Sequence, residues 1–253
     1  MFKITNLLLT IMISQLLIFS MEADESIPKI GVVVSSYNRS EYLVQTLEAL
    51  KEKTFGPDII VELVIIDDGS GPEARGLVDN FHLDGILTFR IRVAQNMGIA
   101  NVLKLGWELL VQRDCDFLCN LDSDVLLKDN WLSRLLETYN KAFDKFEDPR
   151  ILVTGFNTKN HSVTKEYMAF YVKKDVGGVN LFFPSLMYAD YVQEVLDFGR
   201  LWDWNLNSRL QADGIPIVCT KPSVVQHIGI EGMNSSARYS QYFDYAEDFD
   251  DTP

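Results

Sequence analysis

Apolar runs and helical spacings alternate along the first half of the chain. Residues 30–35, "IGVVVS", form a β-branched run that predicts a strand. The segment 40–53 places Leu43, Leu47 and Leu50 at helical spacing, with Ser40 in the position of an N-cap. The pattern then predicts a strand at 59–66, a short helix at 72–81, a strand at 86–94, a helix at 98–112, a strand at 115–121 and a helix at 129–143. Such alternation implies right-handed crossovers and an α/β fold, a single mostly parallel sheet with helices on both faces. Beyond Asp148 the alternation weakens. Residues 150–157 and 166–173 read as strands, 184–199 and 202–214 as helices, and 215–220 and 223–229 as closing strands. No repeat or low-complexity linker separates the halves, so residues 149–240 are expected to complete a site begun by residues 29–148.

Polar clusters fall at corresponding places, just after the first four strands. They are Tyr37-Asn38-Arg39, Asp67-Asp68-Gly69-Ser70, Asn96-Met97-Gly98 and Asp122-Ser123-Asp124. Singly, each reads as a turn, a helix cap or an acidic strand end. Together they occupy the carboxyl edge of the sheet, where ligands of open α/β folds gather. Asp122 and Asp124 are two apart, so on a strand both carboxylates would share a face and meet one ligand. Hard oxygen ligands suit Mg²⁺ or Mn²⁺, ions that share their coordination with substrate phosphates.

Composition sharpens this picture. A chain of 253 residues with 47% apolar content can bury a substantial core. Its net charge of −13 argues against a nucleic-acid partner. The same charge means that a phosphate-bearing ligand needs a metal ion or local donors. Residues 241–253 form an acidic tail expected to be solvated and mobile. Cys115 and Cys119 lie roughly 13 Å apart on an extended strand at ~3.3 Å per residue, too far for a disulfide, so buried free thiols are expected. Residues 1–23 carry one lysine ahead of the apolar stretch Leu7–Phe19, which reads as a secretory signal or N-terminal anchor giving export or membrane association. The rival is a cytosolic protein that starts at Met21. Residues 229–240, "GIEGMNSSARYS", carry Arg238 among small residues and are expected to order over bound nucleotide as a lid does.

"VVVSSYNRSEYLVQTLEAL", "LVIIDDGSG", "NMGIANVLKLGWELL" and "FLCNLDSDVLLKDNWL", in this order, resemble family-2-type glycosyltransferases of the GT-A fold over residues 29 to 145. The later "GGVNLFF", "WDWNLNSRLQADGIPIV" and "PSVVQHIG" fit that family's less uniform second half. The resemblance implies a metal-dependent, inverting transfer of sugar from a nucleotide-diphosphate donor, UDP-linked, to a hydroxyl of a glycan, lipid or protein. It places the nucleobase by Tyr37, Asn38, Arg39 and Asp68, and the nucleoside by Asn96 and Gly98. Asp122 would face the ribose or sugar, and Asp124 with His227 would hold Mn²⁺ or Mg²⁺. Asp203 would be the base, although the acid that often precedes the family base is here Trp202. On the acceptor side, Gly177 and Gly178 would allow close backbone approach, and Trp202 and Trp204 would wall a sugar. His227 as a core residue, Asp203 as a helix cap and the tryptophans as core remain open readings. His82 and His161 have no motif context. Two other classes compete: a GT-A-like protein that binds nucleotide or glycan without turnover, and a haloacid-dehalogenase-like phosphohydrolase using Asp122 as nucleophile.

Overall fold

The computed structural model describes residues 27–230 and 243–249. The expected signal or anchor and residues 231–240 of the expected lid, Arg238 included, lie outside the described residues. Eleven strands and five α-helices follow in the order β1 (Lys29–Ser36), α1 (Ser40–Glu52), β2 (Ile60–Asp67), α2 (Pro72–Asn80), β3 (Leu87–Arg92), α3 (Ile99–Gln112), β4 (Phe117–Asp122), β5 (Val125–Leu127) and α4 (Trp131–Phe146). The second half holds β6 (Leu152–Thr154), β7 (Val163–Glu166), β8 (Phe170–Lys173), β9 (Asn180–Pro184), α5 (Trp202–Ala212), β10 (Ile217–Thr220) and β11 (Val225–His227). No helix among the described residues is long and apolar enough to cross a membrane.

Nine strands make one sheet in the order β3-β2-β1-β4-β9-β6-β10-β8-β7. β3, β2, β1 and β4 run parallel, and β9 is antiparallel to both β4 and β6. Alternate residues of the central strands serve opposite faces, as a period of two requires. Ile30, Val32, Val34, Leu63 and Ile65 pack with Leu43, Leu47 and Leu50 of α1 and Leu132 and Leu135 of α4. Val33, Val64 and Ile66 pack with Val102, Leu103, Trp107 and Leu110 of α3 and Leu206 and Leu210 of α5. The register pairs Ser36 with Asp67 and Ser35 with Asp122, so the polar strand ends line up along one edge.

Three expectations change. The helix expected over 184–199 is a strand end at Pro184 followed by a π-turn (Tyr188–Val192) and a 3₁₀ segment (Val195–Leu201) broken at Gly199. The run Asn180–Pro184 is wholly buried between β4 and β6, and that lateral pairing draws it into the sheet. Ser40 does not cap α1. Arg39 takes the cap position in a left-handed conformation without a side-chain cap. The acidic tail, expected to be solvated, is docked where it is described. Ala246 N–H donates to Gln226 Oε1 at 2.8 Å and Glu247 N–H to Asn157 O at 2.9 Å. Ser223 donates to Asp248, and Lys128 lies 4.3 Å over the Phe249 ring. The three cysteines are free and buried, as expected.

Candidate active site

β4 ends at Asp122, and the chain bends at Ser123 and Asp124 before β5 begins. Asp122 and Asp124 therefore do not share a face of one strand, as their spacing had implied. β5 pairs antiparallel with β11 in a small separate sheet whose register sets His227 against Val125. This pairing delivers an imidazole from 103 positions downstream to the acidic turn, with His227 Nε2 3.1 Å from Asp124 Oδ2. Arg39 Nη1 reaches the same oxygen at 2.7 Å. Asp124 is buried, and Gly229 passes directly over it. A Cβ on Gly229 would lie 1.8 Å from Asp124 Oδ2 and 2.2 Å from Arg39 Nη2.

The tautomer of His227 follows from its other nitrogen. Nδ1 lies 3.0 Å from the carbonyl oxygen of Asp244, which only accepts, so Nδ1 carries a proton. A neutral ring would then aim the Nε2 lone pair at a carboxylate oxygen. That arrangement requires a cation between them, either a proton on Nε2 or a metal ion. Burial works to lower the His227 pKa, but the Asp124 hydrogen bond and charge, with the charge of Asp122, raise it. Burial works to raise Asp124, and His227 and Arg39 outweigh it, holding that carboxyl below its usual range. Asp122 is pushed up to about 8, first by burial and then by the Asp124 charge. Phe243 stacks on the imidazole at 5.2 Å between ring centres, and Phe156 meets it edge-on.

These groups fit a Mg²⁺- or Mn²⁺-sized ion. The 3.1 Å between Asp124 Oδ2 and His227 Nε2 is close to the edge of an octahedron with ligands at about 2.1 Å. Among the described residues no group of three or more His, Cys, Asp or Glu forms a fuller cage. Such ions need few protein ligands when phosphates and water complete the shell.

The second and third polar clusters form one unit. Asp68 Oδ1 accepts from Met97 N–H at 2.7 Å, and Asp68 Oδ2 accepts from Asn96 Nδ2 at 2.8 Å and Gly98 N–H at 3.0 Å. Burial raises the Asp68 carboxyl, opposed by the Met97 and Gly98 donors. Asn38 ties the first cluster to the second, with its N–H on Ser70 Oγ at 2.8 Å and its Oδ1 accepting from Gly71 N–H at 2.9 Å. Tyr37 is half-buried at the same edge.

The residues expected on the acceptor side meet at the start of α5. Asp203 Oδ1 accepts from Trp204 N–H at 2.9 Å, and the Gly178 N–H faces the carboxylate. Burial raises Asp203 above its ordinary value against these donors. Trp202 is buried, 6.0 Å from the Trp107 ring, so it is core and not a wall. Gly178 lies against it, where a Cβ would fall 2.7 Å from Trp202 Cζ2. Trp204, in contrast, is 62% exposed.

Residues without any sequence motif hold this loop. Asn207 grips Val176 through both amide atoms, Nδ2 to the carbonyl at 2.7 Å and Oδ1 from the N–H at 3.0 Å. Asn120 Nδ2 holds Gly178 O at 2.7 Å. His161 Nδ1 is 2.6 Å from Asp175 Oδ1, and its Nε2 faces Gly177. Only the burial of polar residues on apolar elements, Asn120 within "FLCNL" and Asn207 within α5, hinted at such roles.

The chain matches the profile of glycosyl transferase family 2 over residues 31–197 and belongs to that family. It is 26% identical over 179 residues to the glycosyltransferase GlyG of Streptococcus pneumoniae, covering 71% of this chain and 52% of GlyG. It is 25% identical over 205 residues to validoxylamine A glucosyltransferase of Streptomyces hygroscopicus subsp. limoneus, covering 75% and 43%. The chain thus spans about half the length of these curated relatives. Its fold is the GT-A fold of solved neighbours. GalNAc-T7, solved with UDP, GalNAc and Mn²⁺, superposes with a TM-score of 0.61 at 16% identity over 81% of this chain and 44% of that one. TarS residues 1–349 of S. aureus in complex with UDP superposes at 0.55 and 14% identity over 78% and 59%.

Proposed function

We propose that this protein transfers a sugar from a nucleotide-diphosphate donor to a hydroxyl acceptor, with a divalent ion held by Asp124 and His227. The observation that carries this is the convergence of Asp124 Oδ2 and protonated-at-Nδ1 His227 at 3.1 Å on the carboxyl edge of the sheet. When bound, the ion would act as a Lewis acid on the departing diphosphate. Asp203 accepts the acceptor's hydroxyl proton as the oxygen bonds to the anomeric carbon and the bond to the diphosphate breaks. Its partial burial, which raises the carboxyl, makes it a stronger base than an ordinary aspartate. Asp122 faces the donor's ribose or sugar from the end of β4. Tyr37 and the Asp68–Asn96–Gly98 unit shape the nucleobase and nucleoside end. Gly177, Gly178, Trp204 and His161 line the acceptor side. Uridine is the base to test first, because GalNAc-T7 and TarS are solved with UDP.

UDP affinity by calorimetry is expected to weaken sharply in EDTA. Asp124→Ala should lose Mn²⁺ and UDP binding together. Asp203→Asn keeps an oxygen for Trp204 N–H but takes no proton, so transfer should fall by about 10²- to 10⁴-fold with UDP binding unchanged. Equal UDP affinity with and without metal would overturn the site. A second reading, a binding protein without turnover, is favoured by the Trp204 N–H bond that already engages Asp203 within the first turn of α5. Near-wild-type transfer in Asp203→Asn moves the base elsewhere. Absence of transfer from any donor in the wild type establishes the binding reading.

A further inference from the structure

Arg39 sits where a donor's diphosphate and its metal would compete for it. Its Nη1 is 2.7 Å from Asp124 Oδ2, the same oxygen that faces His227 Nε2. A guanidinium has five N–H donors in a fixed fork. Here Nε and Nη2 are buried and have no hydrogen-bond partner among the described residues. Buried donors without partners call for an explanation, and a role in holding an anionic ligand that would accept from them is one. The backbone points the same way. Asn38 and Arg39 are consecutive left-handed residues, at φ 54° and 56°, a conformation uncommon for non-glycine residues. It turns Arg39 inward over the Tyr42 ring, 4.7 Å from its centre, and onto Asp124.

We propose that Arg39 is a placeholder cation: it neutralises Asp124 before the metal arrives, then passes its guanidinium to the diphosphate when metal takes Asp124 and His227. This deepens the proposed donor site and rests on it. The chemistry is charge exchange. A buried carboxylate without a counter-ion is costly, so Asp124 needs a cation in every state. A metal on Asp124 displaces Arg39 by like-charge repulsion, and the freed planar fork matches phosphate oxygens, which accept its unpartnered N–H groups. Arg39 is thereby assigned to the diphosphate and not, as the resemblance implied, to the nucleobase.

The test compares wild type with Arg39→Met, using two probes: Mn²⁺ alone, followed by electron paramagnetic resonance, and inorganic pyrophosphate at saturating Mn²⁺, followed by calorimetry. The placeholder role makes the two affinities move in opposite directions. Mn²⁺ alone should bind about tenfold tighter in Arg39→Met, because one charged hydrogen bond no longer competes. Pyrophosphate with Mn²⁺ should bind about tenfold or more weakly. Weakening of both would make Arg39 a structural support of the site. An unchanged Mn²⁺ affinity with weaker pyrophosphate would make it a plain anion contact that never engages Asp124 in solution. Either outcome, or no change in both, overturns the proposal. Arg39→Gln supplies the same comparison if Arg39→Met does not fold, since it too leaves Asp124 without the guanidinium charge and pyrophosphate without the fork. Pyrophosphate carries no base or sugar, so failure of UDP to bind would refute the donor assignment and leave the exchange testable.

Discussion

Replacing Asn207 isolates the support of the acceptor-side loop. The side chain is 5% exposed and satisfies both backbone groups of Val176, the N–H at 3.0 Å and the carbonyl at 2.7 Å. Asn207→Leu fills the space with apolar atoms and strands both groups. Each buried polar group left unpaired costs about 1–3 kcal/mol, so the loss is about 2–6 kcal/mol. At about 2–4 °C per kcal/mol for a chain of this size, the melting temperature should fall by about 5–20 °C. Asn207→Ala belongs at the lower end, since a polar hole can admit water to bridge Val176. Asn207→Asp is the sharpest variant. It keeps an acceptor for the Val176 N–H but sets a second oxygen against the Val176 carbonyl. Protonating that carboxyl restores a donor, so its deficit relative to wild type should shrink as pH falls. The Val176 loop continues into Gly178, whose N–H reaches Asp203, so transfer should weaken along with stability while UDP binding holds. Thermal unfolding by circular dichroism across pH, beside a transfer assay, reads all of this. A melting temperature unchanged in Asn207→Leu, or an Asn207→Asp deficit that grows as pH falls, would refute the reasoning.

Gly229→Ala should cost about 1–3 kcal/mol by overpacking against Asp124 and Arg39, and an unchanged urea midpoint would show that residues 228–230 do not lie on Asp124 in solution. Removing residues 243 onward takes away the Asp244 carbonyl that orients His227 and the Phe243 ring stacked on it, so Mn²⁺ affinity should fall about 10- to 100-fold by calorimetry; equal affinity would deny the segment that role. Glu62, buried on β2, accepts from Arg113 Nη2 at 2.9 Å and lies 3.2 Å from Lys29 Nζ. The Arg113 hydrogen bonds, against burial and with Lys29, hold its carboxyl low. Its stabilisation is therefore present above the unfolded pKa of about 4.3 and lost as pH falls through the folded value. Glu62→Gln should cost about 1–3 kcal/mol at pH 7 and progressively less as pH falls below the unfolded value, whereas a pH-independent difference in urea denaturation would contradict the pairing.

The sequence by itself determined the parallel half of this protein. β1 to β4 and α1 to α4 carry their instructions locally, as β-branched runs and helical spacings bounded by polar strand ends, and the structure follows them closely. Because residues of parallel strands align by their apolar pattern, the four polar clusters had to share one edge, and they do. Tertiary structure decided what those residues touch. Asn180–Pro184 has no periodicity to distinguish strand from helix and takes its form from β4 and β6. Asp124 leaves the strand, Trp202 enters the core and the acidic tail docks because of partners far away in sequence. Asp124 and His227 meet through a β5–β11 pairing of three residues each, too short to announce itself in either segment, and Arg39 joins them from the start of α1. A local pattern states which face of an element is apolar; it does not state which distant loop will close over its end, and the site is built from those closures.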